Sequence, residues 1–189
     1  MNDILIERLR HRLQDPERVT DATDVIKPRS YPPATFQALD AAEIRLGFKL
    51  PTLLRRIYAE VANGGFGPSY GLLGIGGGAT NEDSRDSVEV YEWFRKANPE
   101  DHYWHWPERL LPIGHLGCGM FCCADCSSEA TPIIWFEPNP HEDGEPWADS
   151  FFPFTDSLDQ WLTAWLDGQA DALFEIAWKR KFGDEAWES

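Results

Sequence analysis

Basic side chains are scarce in this sequence: 17 Lys and Arg stand against 32 Asp and Glu, a formal charge of −15 over 189 residues. Such a balance repels nucleic-acid phosphates and anionic lipid and draws cationic partners. A protein partner is therefore expected, with no nucleic acid and no membrane. Long apolar runs are also missing, so no segment reads as a bilayer span. From Met1 to Leu13 the residues Ile4, Leu5 and Ile6 alternate with Glu7, Arg8, Arg10 and Arg12, which leaves no signal-peptide core. A cytoplasmic location is the expectation. Cysteine is confined to one stretch, Cys118, Cys122, Cys123 and Cys126, unlike a secreted disulfide framework with its staples spread along the chain.

No H-E-x-x-H metalloprotease pattern occurs. The glycines of Gly74-Ile75-Gly76-Gly77-Gly78 invite a phosphate-loop reading, but Ala79, Thr80, Asn81, Glu82 and Asp83 follow them. No Lys or Arg lies between Arg56 and Arg85, so an anion would find no counter-charge. Turn glycines are the better account. Carboxylates are so abundant that no acid pair stands out for acid–base work. No catalytic residue, no metal ligand and no cofactor is assigned.

What the sequence does hold is core-forming material: a 42% hydrophobic fraction with nine Trp and eleven Phe. Ile6, Leu9 and Leu13 recur at helical spacing before Pro16. The stretch Asp15 to Pro33, with Pro16, Pro28, Pro32 and Pro33, reads as a linker or strap. Thr35 is placed to cap a helix carrying Phe36, Leu39, Ala42 and Leu46, with Gly47 as its stop. Pro51 opens the next, striped by Leu53, Leu54, Ile57, Tyr58 and Val61 and ended by Asn63-Gly64-Gly65. A strand is expected near Tyr70 to Ile75. A helix follows through Val88, Tyr91 and Phe94, starting near Ser84 or Ser87.

Strands are expected at Leu110 to Ile113, Met120 to Cys126, Ile133 to Phe136 and Phe151 to Phe154. Ser157 with Gln160 is a capping-box pattern before Leu158, Trp161, Leu162, Trp165 and Leu166. A short helix through Leu173, Ile176 and Ala177 precedes an acidic tail. This order, helices around a central run of strands, argues for α+β rather than βαβ winding. The expected divisions are residues 1–32 as N-terminal helix and linker and 33–168 as the main domain. Residues 169–189 form a helix and acidic tail packed on that domain.

Two features offer other chemistry. Cys123-x-x-Cys126 has the spacing of a metal knuckle, and His102, His105 or His115 could complete a zinc set. On a strand, however, alternate side chains point to opposite faces. Cys122 and Cys126 then share a face with Cys118 while Cys123 points away, which does not close a tetrahedron. Buried small cysteines are the simpler reading. A thiolate is further opposed by Asp125. Tyr103, Trp104 and Trp106 could stack on sugars or bases, but core packing fits the surrounding charge better.

Two segments carry a family resemblance. Leu46-Gly47-Phe48-Lys49-Leu50-Pro51, then Asn63-Gly64-Gly65-Phe66-Gly67-Pro68, resembles the opening of the SUKH (SMI/KNR-type) superfamily. Leu111-Pro112-Ile113 with Gly117-Cys118-Gly119, Asp125-Cys126 and Trp135-Phe136-Glu137 is similar to its strands, and Phe154 with Ser157 to Leu166 to its closing helix. The likeness spans Thr35 to Asp167; Cys122 and Cys123 match no part of the pattern. It implies an α+β fold with a mixed, mainly antiparallel sheet flanked by helices at the N- and C-terminal ends. Bacterial members are often immunity proteins that neutralise toxins, and fungal ones regulate through protein contacts, in neither case with a cofactor. The expected contact residues are Glu82, Asp83, Asp86 and Glu89 in one acidic loop and Glu137, Glu142, Asp143 and Glu145 in another. A basic toxin domain is the expected kind of partner.

Overall fold

The computed structural model describes residues 2–21 and 31–183. Residues 22–30 of the Pro-rich strap and 184–189 of the acidic tail lie outside the described residues. Helix α1 spans Asn2–Arg12, α2 Phe36–Leu46, α3 Thr52–Glu60 and α4 Ser87–Phe94. Strands β1 (Leu110–Gly117), β2 (Met120–Asp125), β3 (Ile133–Phe136) and β4 (Phe151–Thr155) follow, then α5 (Leu158–Leu166) and α6 (Ala170–Phe182). The four strands form one sheet in the order β1-β2-β3-β4, with every neighbouring pair antiparallel. This is an α+β architecture.

The helix ends obey local chemistry. The Thr35 hydroxyl accepts from Ala38 N at 3.1 Å, and Gly47, with φ 77°, donates to Glu43 O. Glu43 is buried beneath the turn that follows. Its carboxylate accepts from Leu50 N at 3.1 Å and pairs with Lys49 and Arg55 at 2.7 and 3.1 Å. A buried carboxylate persists because every charge it meets is complementary. At α5, Ser157 accepts from Gln160 N, while the Gln160 side chain accepts from Asp156 N, one residue before the cap.

The strand expected near Tyr70 to Ile75 does not form as a strand. The segment meets β1 through one isolated bridge, Leu72 to Gly114, and Leu73 N donates to Ile113 O at 2.8 Å. Leu72 instead exchanges bonds with the Gly-rich turn, through Phe66 O and Gly65 N, and Leu73 O accepts from the Tyr58 hydroxyl. At Ile75 the partner is Asn63, whose side chain accepts from Ile75 N at 2.8 Å and donates to Ile75 O at 2.6 Å. Gly64 is required there. Its φ is 80°, and a Cβ would sit 2.6 Å from Gly74 N and from Leu72 O. The Asn-Gly-Gly stop is thus a side-chain clamp that replaces a strand neighbour.

The sheet is covered on both faces. Directly opposed residues share a face, so Phe121, Phe136 and Phe151 form one row and Cys122, Trp135 and Phe152 the other. The first row meets Phe94 of α4 together with Trp106. Against the second, α5 brings Trp161 close to Gly114, and α6 lays Phe174 on Trp135 and Phe182 on Phe152. Helix α1 joins the same buried cluster through Leu5, Ile6 and Leu9.

Candidate functional site

Helix α4 is set by Asp86, whose carboxylate accepts from Val88 N and Glu89 N while Glu89 accepts from Asp86 N. This reciprocal capping box fixes the first turn. The buried Ser87 hydroxyl donates to Pro112 O at 2.5 Å and ties the helix to β1. Val88, Val90, Tyr91 and Phe94 are buried, but Trp93 stands 48% exposed on the outer side.

Between α4, the loop before it and the loop joining β3 to β4 lies a groove of about 630 Å³. Phe94, Phe121 and Phe136 make its floor; Trp93, Trp104, Trp147 and Pro138 stand around it. The indoles are held by their edges. Trp104 Nε1 donates to Phe94 O at 2.8 Å, and Trp147 Nε1 donates to the Asp101 carboxylate at 2.6 Å. That bond, ahead of all else, holds the Asp101 carboxyl below the usual carboxylate range. His141 stacks on Trp147 at 3.6 Å, with its Nε2 2.9 Å from Glu145 O. Rings pinned in this way lose little freedom when something docks against them.

Charge gathers at the rim. Glu82 and Asp83 line one side, and the loop carrying Glu142, Asp143 and Glu145, all exposed, begins at Pro138 on another. Glu82 Oε2 stands 2.8 Å from His115 Nε2, with the histidine ring between Tyr70 and Phe121. Two cations, Arg85 and Lys96, also line the groove. Arg85 is engaged: its guanidinium contacts Asp83 at 3.0 Å and lies 4.8 Å over the Trp93 ring.

The eight carboxylates singled out from sequence therefore divide. Glu82 and Asp83 are exposed and line the groove, while Glu142, Asp143 and Glu145 are exposed on the loop between two of its lining residues, Pro138 and Trp147. Asp86 is buried in the capping box, and Glu89 is exposed but accepts from the same cap. Glu137 is buried and accepts from Asn139 N at 2.9 Å. Sequence reasoning missed Trp93 and Trp147. Trp93 left a trace, for it falls off the Val88, Tyr91, Phe94 stripe and so had to face outward.

Of the aromatic trio weighed as a stacking platform, Trp106 is core and Tyr103 is exposed, while Trp104 is half-buried in the groove wall. The cysteines do not converge. Among the described residues, no group of three or more His, Cys, Asp or Glu is placed to hold a metal ion. Cys122, Cys123 and Cys126 are buried and Cys118 is exposed in the β1–β2 turn. Burial pushes all three buried thiols up, Cys126 to about 12. A thiol reagent is expected to titrate Cys118 alone in the folded chain and all four cysteines after denaturation. Measurable reaction of folded Cys118→Ser on the same timescale would place a second thiol at the surface.

These elements place the chain in an α+β class that carries a groove walled by indole rings, with carboxylates on the loops beside it. The profile of the SMI1 / KNR4 family (SUKH-1) matches residues 33–164. The chain belongs to that family, with α1 and α6 outside the matched span. No curated protein matches the chain. No helix among the described residues is long and apolar enough to cross a membrane.

Proposed function

We propose that the chain is a non-catalytic protein-binding domain that neutralises a toxin by direct contact. The observation that carries the reading is the meeting of two acidic loops around one groove of fixed aromatic rings. Membership of the SMI1 / KNR4 family (SUKH-1) supports a binding role, and the net charge of −15 favours a basic partner acting in the cytoplasm. Glu82, Asp83, Glu142, Asp143 and Glu145 are the contact carboxylates. Asp86, Glu89 and Glu137 serve by shaping the loops that present them. Residues 33–168 carry the binding function, and α6 (Ala170–Phe182) serves as a buttress against the sheet.

The test is co-expression with the product of a neighbouring toxin gene. Rescue of growth and co-purification are the expected results. Charge reversal at Glu82, Asp83, Glu142, Asp143 and Glu145 together is expected to slow association by roughly 10- to 1,000-fold at low salt. Unchanged association would remove these residues from the contact. Failure of any neighbouring toxin to be neutralised would favour a regulatory interaction module, the other role consistent with the same fold.

A further inference from the structure

We infer that the aromatic groove docks an extended partner segment in which an arginine adjoins prolines, the arginine taking the seat that Arg85 occupies over Trp93. This inference rests on the protein-binding reading and names the chemistry of its ligand.

Three observations lead to it. The groove's floor, Phe121 and Phe136, lies on β2 and β3, the two central strands of the sheet. Their backbone groups are already paired on both sides. An extended segment lying there finds no free strand edge, so addition of a further strand is closed to it. It must be recognised through side-chain faces, and a polyproline II segment is suited to that. Proline lacks an N–H to desolvate, its ring packs flat on indoles, and its backbone is already ordered.

The walls are of the matching kind. Trp93, Trp104 and Trp147 stand with Pro99 and Pro138, and two of the three indoles are pinned through their N–H groups. A volume of about 630 Å³ lies within the roughly 300–1,000 Å³ range of clefts that enclose small ligands and short side-chain groups.

The arginine is indicated by the chain itself. The Arg85 guanidinium lies over Trp93 and is held by Asp83, with Glu82 beside it in sequence. Guanidinium, indole face and carboxylate are the components of a cation–π seat with a charge-assisted anchor. Trp93 nevertheless remains half open to solvent. Arg85 thus acts as an internal placeholder, and a partner's arginine competes for the same ring and the same carboxylate.

The test titrates the full chain with a synthetic peptide of Arg-Pro-Pro repeats, read by tryptophan fluorescence and calorimetry. Peptides of Glu-Pro-Pro and of Arg-Gly-Ser repeats serve as controls. Saturable binding of the first peptide is expected, at least about tenfold tighter than either control. Trp93→Ala, at an exposed position that leaves the core intact, is expected to weaken it by about tenfold. Arg85→Ala, by vacating the seat, is expected to strengthen it. Equal affinity for Arg-Gly-Ser repeats would reduce the effect to charge alone and overturn the inference, as would no binding, or weaker binding by Arg85→Ala. If Trp93→Ala still neutralises a partner protein at full affinity, the groove inference fails while the protein-binding reading stands. If the peptide binds but no protein partner exists, the reverse holds.

Discussion

Trp106→Ala is expected to lower stability by about 3–5 kcal/mol and the melting temperature by roughly 6–20 °C. Trp106 is 1% exposed and stacks on Phe94 at 4.3 Å, with Phe136 and Phe151 edge-on at 5.0 and 5.2 Å. Its Nε1 donates to Leu110 O at 2.8 Å, and its own carbonyl accepts from Arg95 at 2.7 Å. Alanine would remove a large dispersion surface, open a cavity between α4 and the sheet, and leave a buried carbonyl at the start of β1 without its donor. Each of these costs free energy, and the rigid rings around the cavity have little room to collapse. Trp106→Phe keeps most of the packing and loses only the N–H, so a smaller loss is expected. Urea unfolding monitored by circular dichroism gives both values. A melting temperature unchanged in Trp106→Ala would mean the aromatic cluster is not the keystone of this face. Because Phe94 and Phe136 floor the groove, the variant should also weaken partner binding beyond its effect on the folded fraction.

The second large effect is expected at Asn63. Asn63→Ala orphans the buried Ile75 N and leaves Ile75 O with only the 3.3 Å bond from Gly78 N, at about 1–3 kcal/mol for the unsatisfied donor. A loss of about 1–4 kcal/mol follows, provided water does not enter in its place. Asn63→Asp gives a sharper reading. The carboxylate can accept from Ile75 N but faces Ile75 O without a proton, and burial raises its pKa above the unfolded value. A group raised in the folded state contributes its stability below its unfolded pKa and loses it as pH rises through the folded one. The deficit of Asn63→Asp relative to the parent should therefore shrink as pH falls toward 4 and be full at pH 7. A deficit independent of pH would show that the clamp is not what holds the Gly-rich segment.

Several elements were legible without coordinates because their signals are local. Thr35 and Gly47 bracket α2, Ile133–Phe136 forms β3, and Ser157 caps α5 as their residue types require. The Leu46 to Pro68 and Leu111 to Glu137 segments pointed to the family whose profile matches residues 33–164. The Tyr70 to Ile75 segment was not legible as it stands. Its apolar run has strand composition, yet its hydrogen bonds go to Phe66, Gly65, Tyr58 and, at Ile75, to Asn63, whose place opposite it is a tertiary fact. The acidic candidates show the same limit. Carboxylates that look alike in sequence divide between caps, a buried turn and the open rim, and only packing separates them.

Sequence by itself determined the caps of α2 and α5, the places of the four strands and the excess of negative charge, since each depends on neighbours within a few positions or on composition alone. The closing helix, expected to be short, runs over Ala170–Phe182 because its aromatic residues pack on the sheet. The tertiary structure alone decided that Trp93, Trp104 and Trp147 meet in one groove and that two distant acidic loops border it. Those residues lie on separate elements, and the antiparallel pairing of β2 with β3 beneath α4 is what gathers them about one floor of Phe94, Phe121 and Phe136.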